Sequence, residues 1–454
     1  MELKGKKVLV AGLGVSGIAL CKVLDSLKAK VIAYDEKEYD VLKENLEEIK
    51  SLSIDFRFGK FKKEFLEGVD LVVLSPGVPT DSDIVKTAQE KKIELLGEVE
   101  FAYRFSKAPI YAITGTNGKT TTTSLLGEMF KNTGRKVYVA GNIGYPLIYA
   151  VMEAAEGDFI VAEISSFQLE TIKEFKPKIS CIINITPDHL DRHKTFENYR
   201  DIKGRIFENQ REDEYTVLNY DDPVTWSLKN KAKCRVFPFS RKSLLENGAY
   251  IKDGSIYISV NGNAEKIIDI EEIYIPGEHN LENALAASSV AYLSGISADV
   301  IANTLKTFKG VEHRIEFVDE INGVKFYNDS KGTNPDASIK AIQALKTPIV
   351  LIAGGYDKGS EFDEFVKAFN GKVKKLILIG QTAKKIRDTA RKYSYPEDDI
   401  LFAGTLEEAV KKAYESAKEG DSVLLSPACA SWDMFRNFEE RGRIFKKAVA
   451  ELRR

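Results

Sequence analysis

The chain has 454 residues, with 66 Lys and Arg against 68 Asp and Glu for a formal net charge of −2, and its charges are interspersed rather than clustered. That balance excludes a basic surface for nucleic acid or an anionic membrane, the length predicts two to four domains, and a small-molecule partner is the default. With no apolar run long enough to span a bilayer, no signal-peptide pattern after Met1 and four cysteines far apart without a C-x-x-C, the expectation is a cytoplasmic protein with reduced core thiols.

The opening block alternates. Lys7-Val8-Leu9-Val10-Ala11 reads as a strand, a helix follows, and Val31-Ile32-Ala33-Tyr34-Asp35 is the next strand. Between them Gly12-Leu13-Gly14-Val15-Ser16-Gly17 completes a G-x-G-x-x-G, with Asp35 about 20 residues on, where a ribose hydroxyl is bound in dinucleotide folds. On these residues alone a dinucleotide site, as in an NAD-dependent dehydrogenase, is the natural reading, and glycines that only allow close helix–sheet packing are the alternative. A further strand, Asp70 to Leu74, ends in Ser75-Pro76-Gly77-Val78-Pro79, a tight loop at the carboxyl edge where such sheets bind ligands.

The next strand, Pro109 to Ile113, runs into Thr114-Gly115-Thr116-Asn117-Gly118-Lys119-Thr120, and Leu125, Leu126, Met129 and Phe130 then follow at helical spacing. Strand, glycine-rich turn, helix is the geometry that cradles phosphates. Backbone N–H groups and the helix N-terminus face the anion, Lys119 neutralises the β/γ oxygens and the Thr120 hydroxyl can ligate magnesium. The loop is a shortened form, since Ile113 stands where the full pattern has its first glycine. A polar helix N-terminus is the alternative, which the preceding strand disfavours.

The central block continues βαβ through Lys136–Ala140, Asp158–Ala162 and Ser180–Asn184, apolar runs that predict a buried parallel sheet. Glu163 ends one of these strands at the edge where Lys119 and Thr120 should lie, so its carboxylate can reach a phosphate-bridging magnesium; a helix-capping acid is the other reading. Pro187-Asp188-His189-Leu190-Asp191-Arg192-His193 brings two of the four histidines to the same edge. His189 is a candidate ligand for a second cation, against an ordinary loop histidine. Lys203 sits on the apolar stripe Phe196, Tyr199, Ile202, Ile206, Phe207, where snorkelling to the surface is the usual outcome. A role beside magnesium requires loss or reversal of its charge. After Thr216 the pattern is irregular until Gly277-Glu278-His279-Asn280 opens an alanine-rich helix.

The last block alternates again, with strands at Val324–Asn328, Ile349–Ala353, Lys375–Ile379 and Ser422–Leu425. The expected fold is therefore α/β: three successive domains with largely parallel sheets, Rossmann-like first (1–106) and last (310–454) domains around a central P-loop ATPase domain (107–309).

The strings T-G-T-N-G-K-T-T from Thr114, E-I-S-S-F-Q-L-E from Glu163, D-H-L-D-R-H from Asp188 and H-N-L-E-N-A from His279 resemble the Mur ligases, ATP-dependent amide-forming enzymes of peptidoglycan precursor synthesis. D-S-K-G-T-N from Asp329 and S-P-A-C-A-S-W-D-M-F from Ser426 resemble the member that adds D-glutamate. The resemblance implies an acyl-phosphate route with ATP, UDP-N-acetylmuramoyl-L-alanine and D-glutamate as reactants, and leaves the oligomeric state open. It implies catalytic roles for Lys119, Glu163, His189 and Lys203. ATP would lie on Gly115, Thr116, Asn117, Gly118, Lys119, Thr120 and Thr121, with Asn280, Arg314 and Asp329 approaching it. Two magnesium ions are implied, one on Thr120 and Glu163 and one on His189 and an N-carbamylated Lys203. The UDP substrate would occupy Gly14, Val15, Ser16, Asp35, Glu36, Lys37, Ser75 and Gly77, with Asn142, Ser165 and Gln168 at its sugar-peptide end. Relatives often carry Thr-Arg where this chain has Glu36-Lys37. D-glutamate would meet His189, Lys331, Thr333, Lys358, Ser431 and Phe438, cations and donors suited to two carboxylates. A ligase of the same mechanism with another amino-acid acceptor is the nearest alternative.

Overall fold

The first sheet of the computed structural model is fully parallel: β1 (Lys7–Ala11), β2 (Lys30–Asp35), β3 (Ile54–Phe58), β4 (Leu71–Leu74) and β5 (Glu94–Gly97) lie in the order 3-2-1-4-5. The structure describes residues 1–143 and 145–453, and the side chains of all of these but Glu44 and Asp191. Strands β1 and β4 are apolar along nearly their whole length because helices cover both faces. The order reverses between β1 and β4, so the ends of these two strands open a crevice at their carboxyl edge.

The second sheet has nine strands. They are β6 (Ile110–Thr114), β7 (Val137–Gly141), β8 (Phe159–Glu163), β9 (Ile179–Ile182), β10 (Tyr215–Asn219), β11 (Arg235–Ser240), β12 (Gly248–Lys252), β13 (Ser255–Val260) and β14 (Asn263–Asp269). Their order is 14-13-12-11-10-9-6-8-7, parallel from β7 to β12, with β12, β13 and β14 forming an antiparallel meander at one edge. The irregular stretch after Thr216 is thus largely this flank. Its strands β13 and β14 mix buried with partly or fully exposed positions and lack the continuous apolar runs of the buried strands. Strand β9 stops at Ile182, two residues short of the predicted Asn184.

The third sheet orders β15 (Glu316–Ile321), β16 (Val324–Asn328), β17 (Ile349–Ala353), β18 (Val373–Leu378), β19 (Ile400–Phe402) and β20 (Ser422–Leu425) as 15-16-20-17-18-19, parallel except for the β15–β16 hairpin. Separate apolar clusters cover its two faces.

Two compact units result, one of Met1–Glu272 with Glu282–Lys306, the other of Ile273–Leu281 with the residues from Thr307 onward. Within the first unit the two sheets share a core: Leu20, Leu24, Val99 and Phe101 belong to the same cluster as Leu147, Ile148 and Ile164. At this seam Gly97 lies so close to the 171 region that a Cβ would fall 1.9 Å from Thr171 Oγ1, which excludes any side chain there. Glu100 is wholly buried beside it. Its Oε2 accepts from the N–H groups of Lys173, Glu174 and Phe175 at 2.8, 3.0 and 3.0 Å, and its Oε1 from Arg104 Nε at 3.2 Å. Glu100→Ala removes the acceptor of three backbone donors, that of Phe175 buried, and leaves Arg104 without this partner, so a loss of about 3 kcal/mol is expected. Urea unfolding and hydrogen exchange check it: the midpoint falls and the amides of Lys173 to Phe175 lose protection.

All four cysteines are free and buried. Burial pushes the thiols of Cys21, Cys234 and Cys429 up to about 12, 11 and 11, and that of Cys181 higher still.

Candidate functional site

The phosphate loop leaves β6 in the middle of the second sheet. Gly118 has φ +85° and a Cβ there would sit 2.2 Å from Asn283 Oδ1, so only glycine lets the turn pass that close. Asn184, just beyond β9, stitches the loop: its Oδ1 accepts from Asn117 N–H at 2.9 Å, its Nδ2 donates to Asn117 O at 3.1 Å and its carbonyl accepts from Thr116 N–H at 2.9 Å. Lys119 heads the helix Lys119–Lys131 and donates to the carbonyls of Gly115 and Thr116, both at 2.9 Å. Its ammonium is therefore held over the concave side of Gly115, Thr116, Asn117 and Gly118. Thr120 and Thr121 are buried in the first turn behind it, and Asn283 accepts from the Thr122 hydroxyl at 3.2 Å. The sequence contained Asn184 and Asn283 but gave neither a task, because an asparagine that braces a loop has no spacing rule.

Glu163 ends β8 at 3% exposure. Its Oε1 accepts from Asn142 Nδ2 at 2.9 Å, and its Oε2 is buried with no hydrogen-bond partner among the described residues. A buried carboxylate oxygen without a donor asks for a cation. Lys203 does not snorkel. It is 1% exposed, passes the Tyr199 ring at 4.8 Å, and donates from Nζ to Gly115 O at 2.8 Å. Burial first, and the Lys119 charge second, hold its pKa well below the ordinary lysine range, while Asp188 and Glu163 pull the other way. The snorkelling alternative does not hold, because the helix Phe196–Gly204 lays its apolar stripe against the loop, with no path to water. The structure thus gathers Lys119, Glu163, Lys203 and Asp188 around one edge of the sheet. Carboxylate and hydroxyl oxygens are the donors magnesium takes, and burial that disfavours the ammonium form of Lys203 lessens the charge conflict, so these residues fit the metal.

His189 lies on the same edge, about half exposed, at φ +51°, with Nε2 3.5 Å from Asp188 Oδ2 and its ring edge on Phe167. His193 does something else. It is buried, Nε2 lies 3.0 Å from Ser166 Oγ, Nδ1 lies 3.4 Å from Glu170, and burial lowers its pKa. Only His189 of the pair is open to a ligand.

The residues expected to hold the nucleotide substrate meet at the carboxyl edge of the first sheet. Gly14 caps the helix Val15–Ser26, Val15 is 71% exposed, and Ser16 follows at the turn. Asp35 accepts from Leu13 N–H at 2.7 Å and Lys37 N–H at 2.9 Å, which fixes the glycine-rich turn with the carboxylate that a dinucleotide reading would give to ribose. Glu36 and Lys37 are exposed beside it. Ser75 donates to Gly12 O at 2.7 Å. Arg192, which the sequence left without a role, links this loop to the second sheet. It grips Glu170 at 2.6 Å, lies 4.2 Å over the Phe167 ring, and donates to Gly77 O at 3.4 Å and Val78 O at 3.1 Å. Ser165 and Gln168 form a reciprocal cap on the short helix Ser166–Leu169, and Asn142 stays bound to Glu163.

In the second unit the predicted residues gather at the carboxyl ends of β16, β17 and β20. Asp329 is buried, accepts from Ser426 Oγ at 2.7 Å, and is raised to about 6 by burial against the opposing charge of Arg314. Asn280 donates to Pro276 O at 2.6 Å. Lys331 reaches the Phe438 ring at 5.6 Å, Thr333 N–H donates to Lys331 O at 2.8 Å, and Lys358 lies 5.1 Å over Trp432, next to buried Ser431. Arg441 was missed. It is wholly buried and donates to Ser330 Oγ at 3.0 Å, Ser330 O at 2.8 Å and Cys429 O at 3.2 Å, tying the loop after β16 to the loop after β20. In the string F-E-E-R-G-R it reads as one more charge on a solvated helix face.

Three family models match the chain: the Mur ligase MurD-like N-terminal domain over residues 6–97, the Mur ligase middle domain over 113–291, and the Mur ligase glutamate ligase domain over 313–429. Along its full length the chain is 99% identical to the UDP-N-acetylmuramoylalanine–D-glutamate ligase of Thermoanaerobacter sp. (strain X514), with 100% of each chain covered. It is 76% identical to the enzyme of that name from Caldanaerobacter subterraneus subsp. tengcongensis, again with 100% of each covered. Among solved structures it shares its fold with the UDP-N-acetylmuramate–alanine ligase of Thermotoga maritima, at a TM-score of 0.61 and 20% identity over 98% of this chain and 99% of that one. A MurF ligase from Thermotoga maritima, solved with ADP, gives 0.59 and 18% over 99% and 96%.

Proposed function

This chain belongs to the Mur ligase family, and on that premise we propose that it joins D-glutamate to UDP-N-acetylmuramoyl-L-alanine at the expense of ATP, in peptidoglycan precursor synthesis. The observation that carries this assignment is the 99% full-length identity to a ligase of that specificity. In the reaction the alanyl carboxylate attacks the γ-phosphorus of ATP, ADP leaves, and an acyl phosphate forms. The amine of D-glutamate then attacks the acyl carbon, inorganic phosphate leaves with the C–O bonding pair, and an amide remains. Little covalent work falls to the protein, so position and charge neutralisation dominate.

Residues 1–106 hold the UDP portion in this reading, 107–309 the nucleotide triphosphate and 310–454 the amino acid. Lys119 neutralises the transferring phosphoryl group, and the loop N–H groups from Gly115 to Thr121 line the phosphates. Asn280, Arg314 and Asp329, all in the second unit, are assigned to ATP as well. Thr120 and Glu163 would hold one magnesium ion, and His189 with an N-carbamylated Lys203 a second. When bound, magnesium screens the negative charge of the phosphates. Support for the carbamate comes from the burial of the Lys203 amine, which lowers its pKa and favours the neutral form that adds to carbon dioxide. Gly14, Val15, Ser16, Asp35, Glu36, Lys37, Ser75 and Gly77 take the uridine diphosphate, and Asn142, Ser165 and Gln168 the sugar-peptide end. Lys331, Thr333, Lys358, Ser431 and Phe438, with His189, take D-glutamate.

The test is phosphate and ADP release by purified protein with magnesium, ATP, the muramoyl-alanine nucleotide and a panel of amino acids. D-glutamate supports turnover, and L-glutamate, L-alanine and diamino acids run at less than about a hundredth of that rate, because a site built to pair two carboxylates leaves cations unpaired with the others. Equal or faster turnover with another amino acid transfers the assignment to a different acceptor.

A further inference from the structure

The seam between the first two sheets holds a carboxyl group that none of these roles employs. Glu98 opens the helix Glu98–Tyr103 directly after β5 and is 2% exposed. Its Oε1 accepts from Ile148 N–H at 3.1 Å, and its Oε2 is buried without a well-formed hydrogen bond to any described residue. The Gln168 side chain and the Leu147 N–H face the same carboxyl group as further donors. Gln168 in turn has its Oε1 occupied, accepting from Ser165 N–H at 2.9 Å and Ser165 Oγ at 3.0 Å. With its oxygen committed to Ser165, the amide must turn its NH2 group toward Glu98. The space enclosed between Glu98, Ser75, Gln168, Thr171 and Arg192 is about 10 Å³, which is at most one water. No substrate reaches Glu98, so whatever it does passes through a neighbour.

We propose that Glu98, as a carboxylate, is a positioning residue: it fixes the Gln168 amide so that one N–H is held by Glu98 and the other is presented to the sugar-peptide end of the muramoyl nucleotide. This rests on the reading given above for Gln168 and Ser165. A protonated Glu98 brings an O–H to a place already crowded with donors, which releases the amide to turn over and breaks its cap on Ser165. Burial drives the group up to about 7 against the donors from Ile148, Gln168 and Leu147. Among the described residues, the ionisable groups near this pocket are Arg192, paired with Glu170, and His193, which Glu170 also faces and whose pKa burial lowers; the helix Leu147–Glu153 contributes only backbone N–H groups here.

The experiment is steady-state kinetics of the full-length enzyme and of Glu98→Gln against each of the three reactants from pH 5.5 to 8.5. Glu98→Gln keeps the shape but supplies only one acceptor. At pH 8 its KM for the muramoyl nucleotide rises about tenfold, the effect of losing one charge-assisted hydrogen bond, with kcat and the KM values for ATP and D-glutamate within about twofold. In the native enzyme that same KM climbs as the pH falls through about 7, and in the variant the climb is absent. Gln168→Leu gives a similar rise, and the double variant adds little to either. An unchanged KM in Glu98→Gln, a parallel rise for all three reactants, or an acid limb that survives in the variant overturns the proposal. Absence of D-glutamate-dependent turnover in the native enzyme would instead remove the functional reading beneath it.

Discussion

Lys119→Ala is expected to lower ADP formation by about three orders of magnitude or more while leaving the fold intact. The reason lies in what the ammonium touches. It spans the loop from the Gly115 carbonyl to the Thr116 carbonyl, so in the resting protein it satisfies two acceptors and rests where the β- and γ-oxygens of a nucleotide would arrive. Exchange of these carbonyls for phosphate oxygens costs the lysine no long travel, and its charge acts from a partly buried position. Alanine retains helix propensity at this first-turn position, so the loop keeps its Asn184 stitching and stability changes by about 1 kcal/mol at most. The checks are coupled-enzyme measurement of ADP release, circular dichroism, and nucleotide binding by calorimetry. Glu163→Ala should match the loss, since it removes the carboxylate whose second oxygen has no partner. Turnover within tenfold of the native rate in either variant removes the loop from the chemistry.

Lys203→Arg is expected to be almost as damaging, again by about three orders of magnitude, although it conserves charge. Neutral lysine adds carbon dioxide to give a carbamate and a proton, turning a cation into an anion. Arginine cannot do this and would leave a permanent charge beside Lys119, in a pocket whose 1% exposure offers no hydration. The native protein equilibrated with 13C-bicarbonate should show one slowly exchanging carbamate resonance that Lys203→Arg lacks, and decarbonated buffer should lower activity until bicarbonate is restored. Full activity of Lys203→Arg, or no carbamate signal under turnover conditions, removes the modification from the account.

The parts of this molecule legible in its sequence are those in which one local rule decides the outcome. Apolar runs such as Leu71-Val72-Val73-Leu74 and Ile349-Val350-Leu351-Ile352 can only be strands buried on both faces, and a glycine turn between strand and helix can only expose N–H groups. The edge strands β3 and β14 resisted because no residue of β3 is fully buried and the first four of β14 face solvent, so neither shows an apolar run. The harder failures concern charged side chains whose meaning depends on distant packing. Arg441, Glu98 and Glu100 sit in strings that look like solvated helix faces, yet each is enclosed by segments 50 to more than 100 residues away. Arg192 shows the same limit in milder form, since its partners Glu170, Gly77 and Val78 come from two different sheets. Periodicity reports which side of a helix is apolar and cannot say that a polar group on that side will find a partner.

The four enclosed thiols have a practical outcome. With their ionisation displaced to about 11 or above, almost no thiolate exists at neutral pH, and maleimides or iodoacetamide should leave the native enzyme unmodified. A cysteine introduced on the surface would then be the single reactive handle, so dyes or spin labels can be attached at chosen points, and distances followed during turnover, without first stripping the protein of its own sulfur.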